Sequence, residues 1–210
     1  MQSPRLENGI VVGTGSDKYQ SRNPIARYAI SQLLGTIEQF ARFCEPSSIL
    51  EVGCGEGHVT RRLLAATTAN IQATDLSESL VRDAAQNLGI NPRVNFSQLN
   101  IYDLEGERYQ SELVVCCEVL EHLDRPEEGL RRLAAVAGEF AVLSVPREPN
   151  FRVLNFLRGQ HLVALGNAPG HVQHWSARSF LKFLAPEFEV LQVRALLPWT
   201  VVLARPKAKS

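Results

Sequence analysis

The sequence predicts an α/β chain, with helices packed on both faces of a mostly parallel sheet. Three observations predict it. Strand-like and helix-like segments alternate from residue 48 to residue 145. A glycine-rich run follows the first of those strands. Two strand-like segments then end the chain with no helix between them. Alternation of this kind specifies a parallel sheet, and a directly joined final pair can be antiparallel.

The elements follow in order. Residues 1–19 are rich in Gly, Ser and Asn and are expected to form a mobile lead-in. A helix is expected from Asn23-Pro24, with Pro in the first turn and Ile25, Tyr28, Ala29, Leu33, Ile37, Phe40 and Ala41 recurring at three and four. Strands are expected at 48–53, 71–75, 93–99, 113–117 and 140–145. Helices are expected at 58–66, at 126–136 behind Pro126, and from a Ser77 cap to about Leu88. The run Leu113–Cys117 is apolar throughout, as a strand buried on both faces should be. Residues 151–166 are apolar with helical period, 176–185 form a capped helix, and strands at 188–193 and 199–204 meet through a Leu-Leu-Pro turn.

Length and composition bound the function. At 210 residues the chain suits one domain, read as 1–210 with an N-terminal helical cap over 1–45 and an insertion at 147–176. Lys plus Arg is 22 and Asp plus Glu is 22, a balance that argues against a broad nucleic-acid footprint. The N-terminus lacks a basic region followed by an apolar run, and no apolar run approaches the ~20 residues that span a bilayer. Cys44, Cys54, Cys116 and Cys117 form no C-x-x-C pair and read as reduced thiols of a cytoplasmic protein.

The chemistry concentrates at the strand ends. In open α/β sheets ligands bind outside the carboxyl ends of the strands. Ile49-Leu-Glu-Val-Gly-Cys-Gly-Glu-Gly57 places Gly53, Gly55 and Gly57 there. A dinucleotide loop needs glycine at position 58, which is His58. Glu51 lies inside the strand end, where a carboxylate suits a cationic, phosphate-free ligand. Asp75 ends the next strand, where a carboxylate can accept both hydroxyls of a ribose. Asn100 and Ile101 follow the third strand, suited to an adenine edge and its ring face. Cys117 and Glu118 follow the fourth.

Ile49–Gly57, Ala73-Thr-Asp75-Leu-Ser and Val114-Val-Cys-Cys-Glu-Val-Leu-Glu-His-Leu123 resemble the successive motifs of class I S-adenosylmethionine-dependent methyltransferases. The resemblance covers roughly residues 45 to 145 and, more loosely, the chain to 204. It implies a Rossmann-like three-layer sandwich whose seven-stranded, mostly parallel sheet has an antiparallel last strand. It implies S-adenosylmethionine as cofactor, with Glu51, Gly53, Cys54, Gly55 and Gly57 at the methionine part. Asp75 would meet the ribose, Asn100 and Ile101 the adenine, and Leu76, Cys117 and Tyr19 would also line the cofactor pocket. The family often carries Asp where Asn100 stands.

The expected reaction is methyl transfer to a small-molecule acceptor at oxygen, nitrogen or carbon. His171 and His174 are candidate general bases, since histidine titrates near neutrality. Glu118 is the third catalytic candidate, and the 147–176 insertion is a candidate acceptor lid for a hydrophobic molecule or a membrane surface. Arg147 is placed to meet an anionic acceptor. A second reading takes Glu118, Glu121 and His122, at i, i+3 and i+4 on one helical face, together with His171, as ligands of a divalent metal. That pattern resembles small-RNA 3′-end 2′-O-methyltransferases. A third reading is a cofactor-binding protein without catalysis.

Overall fold

In the computed structural model, residues 23–147 and 173–208 are described, together with the backbone of 5–7 and 10–12. Strands β1 (Arg5–Glu7) and β2 (Ile10–Val12) pair antiparallel, with Glu7 opposite Ile10. Residues 5–7 and 10–12, within the stretch expected to be a mobile lead-in, therefore carry a short strand pair that the sequence reading did not include. Asn8-Gly9 stands between the strands in sequence, and Asn-Gly is the dipeptide that two-residue hairpin turns favour.

Helix α1 (Pro24–Cys44) starts where its cap dictates. Asn23 Oδ1 accepts from the backbone N–H groups of Ile25 (2.9 Å) and Ala26 (3.4 Å). Its buried face is Ile30, Leu33, Leu34, Ile37, Phe40 and Ala41. The expected face began earlier, yet Ile25 and Tyr28 are 68% and 67% exposed. The first two turns of the helix therefore contribute little to the core. Strand β3 (Ser48–Val52), helix α2 (His58–Ala66), strand β4 (Asn70–Asp75), helix α3 (Glu78–Leu88) and strand β5 (Val94–Gln98) follow. Ser77 Oγ caps α3 through the Leu80 N–H. Then come β6 (Ser111–Cys117), α4 (Pro126–Val136), β7 (Ala137–Pro146), α5 (Ala177–Leu184), β8 (Phe188–Ala195) and β9 (Trp199–Pro206). A reciprocal Ser176–Ser179 capping box opens α5.

The large sheet has seven strands in the order β5-β4-β3-β6-β7-β9-β8. All pairs from β5 to β7 are parallel, and β9 runs antiparallel to both of its neighbours. Period-two alternation divides the core into two layers. Leu113, Val115, Val142, Val201 and Leu203 face α1, α2 and α3. Val114, Cys116, Leu143, Val202 and Ala204 face α4 and α5. The result is a three-layer α/β/α sandwich. Among the described residues no helix is long and apolar enough to cross a membrane.

The topology also locates the site. The chain runs outward β3-β4-β5, then returns to lay β6 on the other side of β3. Loops leaving β3 and β6 diverge at that switch, the place at the carboxyl edge where open α/β sheets bind their ligands.

Candidate functional site

The glycine loop leaves β3 at this switch. Gly53, Gly55 and Gly57 all have positive φ, at +82°, +53° and +83°. The Gly53 and Cys54 N–H groups both donate to the Thr74 carbonyl, at 2.7 and 2.9 Å, which ties the loop to β4. The Gly55 N–H donates to Asp75 Oδ2 at 2.9 Å. Asp75 Oδ1 accepts from the Ser77 N–H, also at 2.9 Å. The half-buried Asp75 carboxylate thus joins the glycine loop to the start of α3. Leu76, beside it, is 39% exposed.

Glu51 sits in β3 behind the loop and is only 2% exposed. Its Oε2 is buried with no hydrogen-bond partner among the described residues. Burial pushes its carboxyl up from 4.5 to about 7; the Asp75 charge adds to the rise, and Thr60 beside it partly offsets it. A buried, orphaned carboxyl oxygen next to a backbone loop suits a ligand ammonium group. It also carries a consequence for stability. Between pH 4.5 and about 7 the unfolded chain has released this proton while the folded chain keeps it. Unfolding then releases a proton, so the unliganded protein loses stability as pH rises through that window, by roughly 3 kcal/mol in all. Glu51→Gln is expected to remove that slope in urea unfolding between pH 5 and pH 8. Equal slopes in the two proteins would sink the assignment.

The neighbouring thiols feel the same acids. Burial raises Cys54 well above the ordinary thiol value, and Glu51 and Asp75 add to it. Burial likewise raises Cys117, partly offset by a hydrogen bond with Ser144, with Glu118, Glu51 and Glu121 adding. Both are held as neutral thiols. All four cysteines are free.

Asn100 and Ile101 have local roles. Asn100 Oδ1 accepts from the Tyr102 N–H at 3.1 Å and caps the 3₁₀ turn Ile101–Asp103. An adenine amine would compete with that cap for the same oxygen. Ile101 is 5% exposed and lies beneath α4, next to Gly129 and Leu123.

Glu118 is the most constrained residue of the rim. Its φ of +62° is unusual for a residue with a side chain. Its N–H donates to the Ser144 carbonyl at 3.0 Å. Its Oε2 accepts from the Trp199 indole Nε1–H at 2.6 Å, and its Oε1 from the Ser144 hydroxyl at 3.4 Å. Neither Trp199 nor Ser144 is visible as a site residue in the sequence. Trp199 stands 81 positions away, and only the β6-β7-β9 strand order brings it close.

That conformation corrects the shared helical face expected of Glu118, Glu121 and His122. Glu118 lies before the turn, and Leu120–His122 is a single 3₁₀ turn. Within it Glu121 is buried and His122 exposed. Among the described residues no group of three His, Cys, Asp or Glu side chains is arranged to hold a metal ion. His174 is exposed, and Gln173 docks its segment on the rim by donating to the Glu121 carbonyl at 3.0 Å and the Leu123 carbonyl at 3.3 Å. Trp175 makes a bridge to Arg147. Tyr19, His171 and the stretch 148–172, which holds most of the expected lid, lie outside the described residues.

Comparisons with known proteins agree with this geometry. Residues 50–141 match the methyltransferase domain family. The chain is 31% identical over 121 residues to the malonyl-[acyl-carrier protein] O-methyltransferase of Halalkalibacterium halodurans, covering 55% of this chain and 45% of that protein. It is 31% identical over 113 residues to the ubiquinone biosynthesis O-methyltransferase of Bordetella parapertussis, covering 52% of this chain and 46% of that one. The chain therefore spans less than half the length of either relative. The magnesium protoporphyrin IX methyltransferase of Synechocystis PCC 6803, solved with bound S-adenosylhomocysteine, shares the fold at a TM-score of 0.71 and 19% identity, covering 90% of this chain and 91% of that one. By fold and by its glycine loop the chain is similar to the S-adenosylmethionine-dependent methyltransferases, and residues 50–141, somewhat under half of its length, match a methyltransferase domain.

Proposed function

We propose that this protein transfers the methyl group of S-adenosylmethionine to an oxygen of a small-molecule acceptor. The observation that carries the proposal is the placement of Glu51 and Asp75 on either side of the glycine loop, one carboxyl buried and orphaned, the other on the rim. Glu51 would take the cofactor's ammonium group, and Asp75 would take the ribose hydroxyls. Leu76, Asn100 and Ile101 fall on the adenine side of the crevice, and Cys54 and Cys117 on its walls. Both named relatives are O-methyltransferases, which supports oxygen as the atom methylated.

The reaction is an in-line displacement. An acceptor lone pair attacks the methyl carbon, the carbon–sulfur bond breaks, and sulfur keeps the electron pair as a neutral thioether. The protein's main contribution is to hold donor and acceptor in near-attack geometry. A hydroxyl acceptor must also lose a proton, for which His174 and His171 remain the proposed bases. The 147–176 segment would cover the acceptor.

The experiment is a calorimetric titration with S-adenosylhomocysteine and, separately, with NAD. One-to-one binding of S-adenosylhomocysteine and no binding of NAD is the expected result. The reverse outcome would overturn the reading.

A further inference from the structure

The strand order divides the crevice into two sides. On the cofactor reading above, ribose and adenine would fall toward β4 and β5, which lie on the other side of β3 from β6. Glu118 lies on the other side, with its carboxylate turned toward β7 and β9 by Ser144 and Trp199. Cys117 pairs with Ser144, Ser144 with Val201, and Pro146 with Trp199, so three neighbouring strands fix this corner. Ser144 and Trp199 are both buried. Val119, the next residue, lies against Gly53, so Glu118 is one residue from a contact with the start of the glycine loop.

A left-handed backbone at a non-glycine residue is strained and persists only where surrounding contacts over-determine it. Here two side-chain donors and a backbone bond do so. The effect is to present a carboxylate at the acceptor's side of the pocket.

We infer that Glu118 accepts a hydrogen bond from the atom to be methylated, and that Trp199 and Ser144 are positioning residues that aim it. The acceptor is therefore a hydroxyl oxygen or the nitrogen of a neutral N–H amine, which can donate a hydrogen bond to Glu118 while its lone pair is turned toward the methyl group. A carbon acceptor has no such proton to offer. The inference rests on the cofactor reading above and names the chemistry of its acceptor side.

A pair of ligands tests it without knowledge of the acceptor. Sinefungin carries a protonated amine where S-adenosylmethionine carries its methyl-sulfonium; S-adenosylhomocysteine has nothing there. Calorimetry on the full chain gives the ratio of the two affinities. Glu118→Gln is expected to lower the preference for sinefungin by about tenfold or more, the scale of one charge-assisted hydrogen bond. Trp199→Phe and Ser144→Ala should lower it by about threefold, with S-adenosylhomocysteine affinity little changed. A purely structural role would lower both affinities alike. In ¹⁵N-labelled protein, with Trp175→Phe used to assign the two indole signals, the Trp199 Nε1–H resonance should move upfield in Glu118→Gln. An unchanged ratio across the three variants overturns the inference and leaves the cofactor reading standing. Failure of the unsubstituted chain to bind S-adenosylhomocysteine overturns both.

Discussion

Asp75→Ala is expected to lower S-adenosylhomocysteine affinity by a hundredfold or so while leaving the fold intact. Removing one partner of a buried, hydrogen-bonded charged contact costs about 2–5 kcal/mol of binding, and each ~1.4 kcal/mol is tenfold in affinity. The loss has two sources. The ribose hydroxyls would lose their acceptor, and the Gly55 N–H, now held at 2.9 Å, would lose its anchor. Asp75→Asn separates them, because an amide keeps one acceptor oxygen for the loop and loses the charge. It should bind more weakly than the unsubstituted protein and more tightly than Asp75→Ala. Asp75 is half-buried, so its two backbone donors can turn to water, and unfolding free energy should fall by only about 1–2 kcal/mol. Calorimetry and urea unfolding on the same three proteins decide it. If Asp75→Ala binds within threefold of the original, the ribose assignment fails.

The sequence makes some of these features readable and hides others for identifiable reasons. Helices α2 and α4 lie at the expected 58–66 and 126–136, because apolar spacing and Pro126 are local signals. The antiparallel β8–β9 pair was also local. That β9 inserts between β7 and β8 was not, since insertion depends on contacts across the whole sheet. Its buried run Val201–Ala204 is the one sequence signal of an interior position. Within the site, Asp75 was legible because strand ends are legible. Asn100 was read for a ligand, yet an Asn immediately before a helical turn equally signals a cap, and the oxygen does serve that cap. The common face of Glu118, Glu121 and His122 failed on backbone conformation. No rule of spacing announces a φ of +62° at glutamate.

Charge shows the same limit. The whole chain is neutral, with 22 basic and 22 acidic residues. Locally, Glu51 and Asp75 both raise Cys54, while Glu118, Glu51 and Glu121 all raise Cys117. Composition averages this acid concentration away. A sulfonium and an ammonium on one ligand are the charges such a corner favours.

Gly53→Ala is expected to be the most damaging small substitution in the loop. Two costs combine. A φ of +82° is strained for any residue with a Cβ, at about 1–2 kcal/mol. A Cβ there would lie 2.2 Å from Val119 Cγ2, so the methyl group has no room unless Val119 or the loop moves. Overfilling a packed site costs a further 1–3 kcal/mol or so. Gly55 is the control, because its φ is also positive, at +53°, and nothing lies within 4 Å of its Cβ position. Gly55→Ala should therefore show the backbone cost alone. Val119→Ala added to Gly53→Ala should return the steric part, an interaction of roughly 1–3 kcal/mol in a double-mutant cycle, and leave the backbone part. Urea unfolding measures all five proteins, the unsubstituted chain and Val119→Ala included. Equal losses in Gly53→Ala and Gly55→Ala would show that Val119 is not what selects glycine at 53. If the contact is real, the effect should reach past stability. Val119 adjoins Glu118, so relief of the clash by a shift of Val119 displaces the carboxylate that Trp199 and Ser144 hold. Gly53→Ala should then lower sinefungin affinity more than S-adenosylhomocysteine affinity. One methyl group in the glycine loop would be read out on the acceptor side of the pocket.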